Sequence, residues 1–498
     1  MKRYLILCLL VISVVLMAGC NGAAGPDESA LPPLETAGEQ HVETEGYNRG
    51  ETVMIYQENL SCGVNFELYE DGRLLLSGAD ITVSIVDEPA FKDYAENITT
   101  VELGEGITEV CDKAFARAAK IEKLIIDDCV TSIGYSAFSD CTALAQITMG
   151  SGLQELGDYA FSGCTALTDV DLSENIEIVG NYCFSGCTAL KNAILGECIT
   201  EMGHCIFNGC TSLSSLRIAC NVGESALKDN TSLVSVTLEE SVSLIGDRAF
   251  SGCTSLQNIS FAEGLKTIGA YAFSDCTALG SISLPSTVTN VGREAFAMCT
   301  KLDTIQIDAA AQTVLGDSAF TGCAGLKNLV LGDGVVEIGD YCFADCTSII
   351  DASVGCNVSV MGELIFSGCT ALKNLQMYSS VGESSLKGCT ALEKVTMDGG
   401  KVQTIGKEAF AGCTALLELI LPEGLETIEE HAFYECSAMK KIVMPTTIKK
   451  LGPEILFGTM SLEDLHYRGN ENEWYKVEKD KNWNKSAGLT YVDKYKVE

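Results

Sequence analysis

The chain has 498 residues, 47% of them hydrophobic, and a formal net charge of −35. That field repels nucleic acid and anionic lipid headgroups at long range, which speaks against a polyanion-binding role. Twenty-four cysteines stand beside only four histidines, at positions 41, 204, 431 and 466.

The chain opens with Met1-Lys2-Arg3, runs apolar from Tyr4 to Met17, and then reads Ala18-Gly19-Cys20. A basic start, a short apolar stretch and small residues at its end make a secretory leader, too short to span a bilayer. The Ala-Gly-Cys ending resembles a bacterial lipoprotein signal, although Met17 stands where that family usually has Leu. The resemblance implies removal of residues 1–19 and a lipid on Cys20, hence a membrane anchor; the alternative is an ordinary leader cut near Gly19. Losing Lys2 and Arg3 would take the net charge from −35 to −37. Buried acyl methylenes contribute ~0.8 kcal/mol each, so a multiply acylated Cys20 holds firmly. Residues 20–48, with Pro26, Pro32, Pro33 and no apolar periodicity, read as a disordered tether. Residues 49–97 read as an amino-terminal β cap, with a hairpin from Cys62 to Gly78 turning at Asp71-Gly72.

From Phe115 onward an apolar residue recurs every 23 residues or so: Phe138, Phe161, Phe184, Phe207, Leu227, Phe250, Phe273, Phe296, Phe320, Phe343, Phe366, Leu386, Phe410, Phe433 and Leu456. Two steps are 20 and two are 24. A fixed period of this size marks a solenoid, in which each unit buries its apolar face against its neighbours. Four residues before the ladder position comes Gly in 14 of 16 units, with Cys111 and Glu429 as exceptions. Such a Gly marks either a special backbone conformation or a close approach. Three residues after the ladder position comes Cys in 13 of 16 units, as at Cys141, Cys164 and Cys187; Ala118, Asn230 and Thr459 replace it. An alternating Ile-x-Leu then reads as a strand. The block from Cys183 to the short unit at Leu227 recurs 159 residues later, from Cys342 to Leu386, so seven units look copied together. Array expansion accounts for this, and two equivalent binding surfaces would be the sharper consequence.

This pattern, Ile-Gly-x-x-Ala-Phe-x-x-Cys-x-x-Leu, resembles the BspA-like bacterial leucine-rich repeat family over roughly residues 98–467. Together the residues and the resemblance predict a right-handed solenoid of the α/β type, mostly β, with about sixteen 23-residue units and one continuous parallel sheet. Residues 468–498, with Tyr467-Arg468-Gly469, Glu473-Trp474, Trp483 and Leu489-Thr490-Tyr491, resemble the family's closing element and are expected to cap the array.

The thirteen ladder cysteines would stack about 4.8 Å apart, longer than a disulfide prefers, so they read as buried hydrophobes with a weak donor. Cys183, Cys187, His204, Cys205 and Cys210 could suggest zinc, yet no Cys-x-x-Cys spacing supports it and core packing accounts for most of the group. No catalytic motif, phosphate loop or cofactor fingerprint is present in the sequence, and repetition opposes the convergence of unlike groups that catalysis needs. The outward strand position is expected at Ile125, Thr148, Asp171, Ile194, Arg217, Thr237, Ser260, Ser283, Gln306, Val330, Ser353, Gln376, Thr396, Ile420, Val443 and His466. Without an aromatic, this stripe suits a protein ligand better than a sugar. Tyr159, Tyr182, Tyr271 and Tyr341 recur at another fixed point, as rings roofing the coil edge or as contacts. The resemblance implies a surface adhesin or protein-binding scaffold engaging host or neighbouring bacterial proteins. Polysaccharide capture and a structural spacer are the rival readings.

Overall fold

The computed structural model describes residues 52–307, 312–397 and 401–485; the leader, Cys20, the tether and Leu489-Thr490-Tyr491 lie outside them. The described residues from Val53 onward belong to one unit. The amino-terminal cap is a three-stranded antiparallel meander, β1 (Met54–Asn59), β2 (Asn65–Tyr69) and β3 (Arg73–Ser77). The expected Asp71-Gly72 turn joins β2 to β3, with Gly72 at φ 82°. β3 then pairs in parallel with β4 (Thr100–Leu103), which fuses the cap to the array. The sequence reading foresaw the hairpin but neither β1 nor the helix Pro89–Tyr94, whose Phe91 packs edge-on against Phe115 at 6.3 Å. This ring closes the first coil against water.

Seventeen short main strands follow in parallel among the described residues, one per coil, from β4 to Asp464–Tyr467. That is one more than the sixteen units, because β4 precedes the first ladder residue. A second row of two-residue strands, such as Ser132–Ile133, Glu155–Leu156 and Ile178–Val179, stacks in register beside the first. Hydrogen bonding along the main sheet runs in five segments. Two of the four interruptions, after Thr304–Ile307 and after Lys394–Met397, fall at the 24-residue steps, where an added residue displaces the next strand. The others follow Gln146–Thr148 and Asn258–Ser260, where the inward-facing Ile147, Met149, Ile259 and Phe261 are only half-buried.

The core is a column of rings. Consecutive ladder phenylalanines stack at 5.0–5.8 Å between centroids with planes 1–27° apart. Leu227 and Leu386 interrupt the column at the two 20-residue units. All thirteen ladder cysteines donate S–H to the carbonyl of the ladder residue one coil back, at 3.1–3.3 Å, as Cys141 does to Phe115. Cysteine fits because it is small and apolar yet still satisfies a buried carbonyl. Asn230 and Thr459 instead donate to the carbonyl three residues earlier in their own coil.

The recurrent Gly four residues before the ladder is a matter of close approach. A Cβ there would lie 2.3–2.8 Å from atoms of the preceding coil in all fourteen cases, and none of these glycines has a positive φ. Left-handed backbone occurs elsewhere: the residues two before and two after every ladder position have φ of 50–58° and 54–79°. This alternation lets the N–H groups at −2, 0 and +2 all donate to the next coil, as Ser136, Phe138 and Asp140 do to Asp158, Ala160 and Ser162. Those bonds offset roughly 1–2 kcal/mol of strain at each left-handed L-residue. Tyr467, Trp474 and Trp483 form a ring cluster at the far end, with centroids 5.0 and 5.9 Å apart. The helix Glu471–Lys476 carries Trp474 and is held by an Asn470–Glu473 capping box.

Candidate binding surface

The outward stripe lies in the register that the sequence predicts. Asp171, Ile194, Arg217, Thr237 and Ser260 are cross-strand neighbours, as are Val330, Ser353, Gln376 and Thr396. Glu102 on β4 extends the row by one strand towards the cap. One position departs: Val443 is buried at 6% exposure, set between its register neighbours Ile420 and His466. Val330 is the most open of the row's large hydrophobic side chains, at 65%.

A second outward row, two residues earlier on each strand, was missed in the sequence reading, although strict alternation implies it. It contains Asp169, Asn192, Ser215, Ser235 and Asn258 in one run and Asn328, Asp351, Asn374 and Lys394 in another. Short polar side chains link successive coils here: Asn192 donates to Asp169 at 2.9 Å and Asn374 to Asp351 at 2.6 Å. The Asn192 bond, with a second from Thr168, holds the Asp169 carboxyl below its usual range. The face is thus an ordered, largely polar plane.

The tyrosines occupy the left-handed corner two residues before the ladder. Tyr159 and Tyr182 stack at 5.1 Å with planes 8° apart, and Tyr135 meets Tyr159 edge-on at 5.8 Å. Ring faces are spent on one another, so a sugar arriving there finds edges and hydroxyls rather than a platform. Tyr271 lies 5.0 Å under the Arg248 guanidinium and donates to Glu294 at 3.1 Å. Tyr341 alone of the four is open, at 46%.

The residues that suggested zinc do not converge. Cys183, Cys187 and Cys210 are core side chains, Cys187 and Cys210 donate to Phe161 and Phe184, and the exposed His204 ring sits 2.8 Å from the Glu224 carbonyl. Burial pushes the Cys183 thiol well above its usual range, away from the thiolate that a metal needs. Among the described residues, no group of three or more His, Cys, Asp or Glu is placed to hold a metal ion. The sequence-identified Phe138, Phe161 and Phe184, with Cys141, Cys164 and Cys187, form the core beneath the sheet and reach no surface.

Coils of one main strand each, a Phe–Cys core and an exposed parallel sheet define a leucine-rich repeat solenoid. Six copies of the BspA type Leucine rich repeat region match the sequence, over 79–191, 108–226, 220–350, 310–400 and 376–476. The chain belongs to this BspA-type leucine-rich repeat family. Among proteins of curated function, none matches it in sequence. A leucine-rich repeat protein from Bacteroides ovatus aligns with a TM-score of 0.50 and 23% identity, over 83% of this chain and 96% of that one. A leucine rich cell surface protein from Faecalibacterium prausnitzii is 19% identical with a TM-score of 0.32, over 85% and 98%. The pneumococcal vaccine antigen PcpA is 16% identical with a TM-score of 0.33, over 86% and 95%. The first shares the fold; the other two align too loosely to carry an argument.

Proposed function

We propose that this is an exported, lipid-anchored cell-surface protein that binds another protein on the outer face of its parallel sheet, as an adhesin or interaction scaffold without catalysis. The observation that carries the reading is the sheet face itself, two in-register rows of outward side chains repeated coil after coil. Such a surface suits many weak contacts with an extended partner. Export and anchoring rest on the leader and Cys20. The family is in keeping with that location.

Two measurements test it. Beads coated with the protein should adhere to immobilised host-matrix or bacterial surface proteins above an unrelated acidic protein; equal retention would sink the adhesin reading. Selective binding on a glycan array instead would favour polysaccharide capture.

A further inference from the structure

The turn after the main strand is three residues shorter in the coil of Leu227 than in its neighbours: Ile218 reaches Gly223 in five residues, where Leu195 reaches Gly203 and Leu238 reaches Gly246 in eight. This recess opens a cleft of about 500 Å³ at the edge of the sheet. Ile194 and Ala219, both half-buried, give it an apolar wall, and Glu197, Glu239 and Glu240 stand round it with Arg217 as the one cation among the described residues that line it. Arg217 is committed to Glu239 at 2.7 Å. The acidic excess extends along the face. Over the five coils centred here, residues 168–174, 191–197, 214–220, 234–240 and 257–263, it comprises Asp169, Asp171, Glu174, Glu197, Glu239, Glu240 and Glu263 against Lys191 and Arg217. The next coils on either side, residues 145–151 and 280–286, hold no charged residue to offset it. Asp171, Glu174, Glu197 and Glu240 are exposed, and none of them is in an ion pair among the described residues. The carboxylates lie side by side over several coils and, among the described residues, form no group placed to hold a metal ion. In the second block Asn328, Val330 and Cys356 replace Asp169, Asp171 and Glu197, and Lys327, Lys373 and Lys394 enter where the first has Thr168, Ser214 and Ser235.

We propose that this acidic stretch of the first block is a docking site, and that its occupant is a basic, extended segment of a partner protein with a Lys or Arg side chain seated in the cleft. The proposal rests on the protein-binding reading above and narrows it. The spread of the charge singles out that occupant. From the strand of Asp169 to that of Ser260 is four strand spacings, roughly 19 Å, or about six residues of extended chain, whereas a metal ion would need the carboxylates at one point. A long basic side chain can lay its methylenes on Ile194 and Ala219 and carry its charge to Glu197 and Glu240 at the rim. The field of a chain of net charge −35 draws such a segment in, and the local excess selects where it settles. Since Asp169, Asp171 and Glu197 have no acidic counterparts in the second block, the copies are unequal surfaces, and the avidity expected from two equivalent ones does not arise.

The test is a random-peptide display library panned against the full chain, followed by affinities of the selected peptides for three chains: wild type, Glu197→Gln/Glu240→Gln, and Glu393→Gln/Glu418→Gln, which removes equal charge from the second block. Selected peptides should be rich in Lys and Arg, lose about fivefold or more in affinity on the first-block variant, and stay within about twofold of wild type on the control. Their binding should weaken as salt is raised. Thermal melts check that each variant folds; should the first-block variant not fold, Asp171→Asn/Glu174→Gln supplies the same comparison. Neutral or acidic peptides, equal losses on both variants, or no selection at all would overturn the proposal. So would spermidine bound as tightly as the peptides, which would make charge without a chain sufficient. Self-association of the chain lost in the first-block variant would give the face to a second copy and equally overturn it. Adhesion that persists although no basic peptide binds would defeat this assignment and leave the broader reading standing, whereas basic peptides held at this face without adhesion would sink the adhesin reading alone.

Discussion

Replacing Phe273 tests the account of the core most sharply. Its ring is fully buried, stacks on Phe250 and Phe296 at 5.0 Å on either side, and meets Phe261 edge-on at 5.9 Å. Phe→Ala in a core costs about 3–5 kcal/mol. Three aromatic contacts, each worth about 0.5–1.5 kcal/mol beyond burial, place Phe273→Ala at the upper end, about 5 kcal/mol. Leu keeps most of the burial, and the short units use it at Leu227 and Leu386, so Phe273→Leu should cost about 1–2 kcal/mol. In a repeat array stability is a sum over units and their interfaces, so the loss should be local. Hydrogen exchange should show Phe273→Ala deprotecting the coils of Phe250, Phe273 and Phe296 while the cap strands β2 and β3 stay protected. A loss below about 1 kcal/mol, or uniform deprotection from cap to cap, would refute the stacked-column account.

The close-approach glycines give a second contrast. Gly292→Ala would set a Cβ 2.6 Å from the backbone of Ala270 and Gly269, and should cost about 3 kcal/mol in urea unfolding. Gly412→Asn, at φ 77° with its nearest neighbour atom 3.7 Å away, should cost less than about 1 kcal/mol. Alkali gives a third. Burial pushes the thiols of Cys141, Cys253, Cys369 and Cys436 up to about 12. An unfolded thiol releases its proton near pH 8.5, so between there and pH 12 the unfolded chain holds fewer protons and stability falls as pH rises. At pH 10 each such thiol should cost on the order of 2 kcal/mol, and a urea midpoint unchanged from pH 8 to 10 would contradict this. The fourth concerns the anchor. Cys20→Ser should leave the precursor uncleaved or free the protein into the medium, with the melt of the repeat array unchanged; wild-type protein beginning at an unmodified Cys20 would refute lipidation.

Period and register were legible because a 23-residue repeat leaves little freedom: once Phe161 and Leu172 face inward, Asp171 must face out. Other features leave no such trace. Left-handed corners are occupied by Tyr159, Arg248 or Leu364 as readily as by Ser, since bonds between coils, not intrinsic preference, impose the conformation. The purpose of the recurrent Gly could be settled only by the distance to the preceding coil, and the burial of Val443 only by what surrounds it. β1 escaped notice because Met54–Asn59 is exposed at nearly every position and so lacks an alternating pattern. On the binding face, the sequence held the divergence between the blocks in plain view.

Oxidative footprinting of the full chain, free and bound to a partner that it retains at a cell surface, tests the central claim most directly. The account predicts protection of outward side chains of the sheet, such as Ile194, Val330 or Ile420, with Tyr159 and Tyr182 at the left-handed corner labelled equally in both states. Protection of the tyrosine corner with the outward sheet side chains unchanged would contradict it.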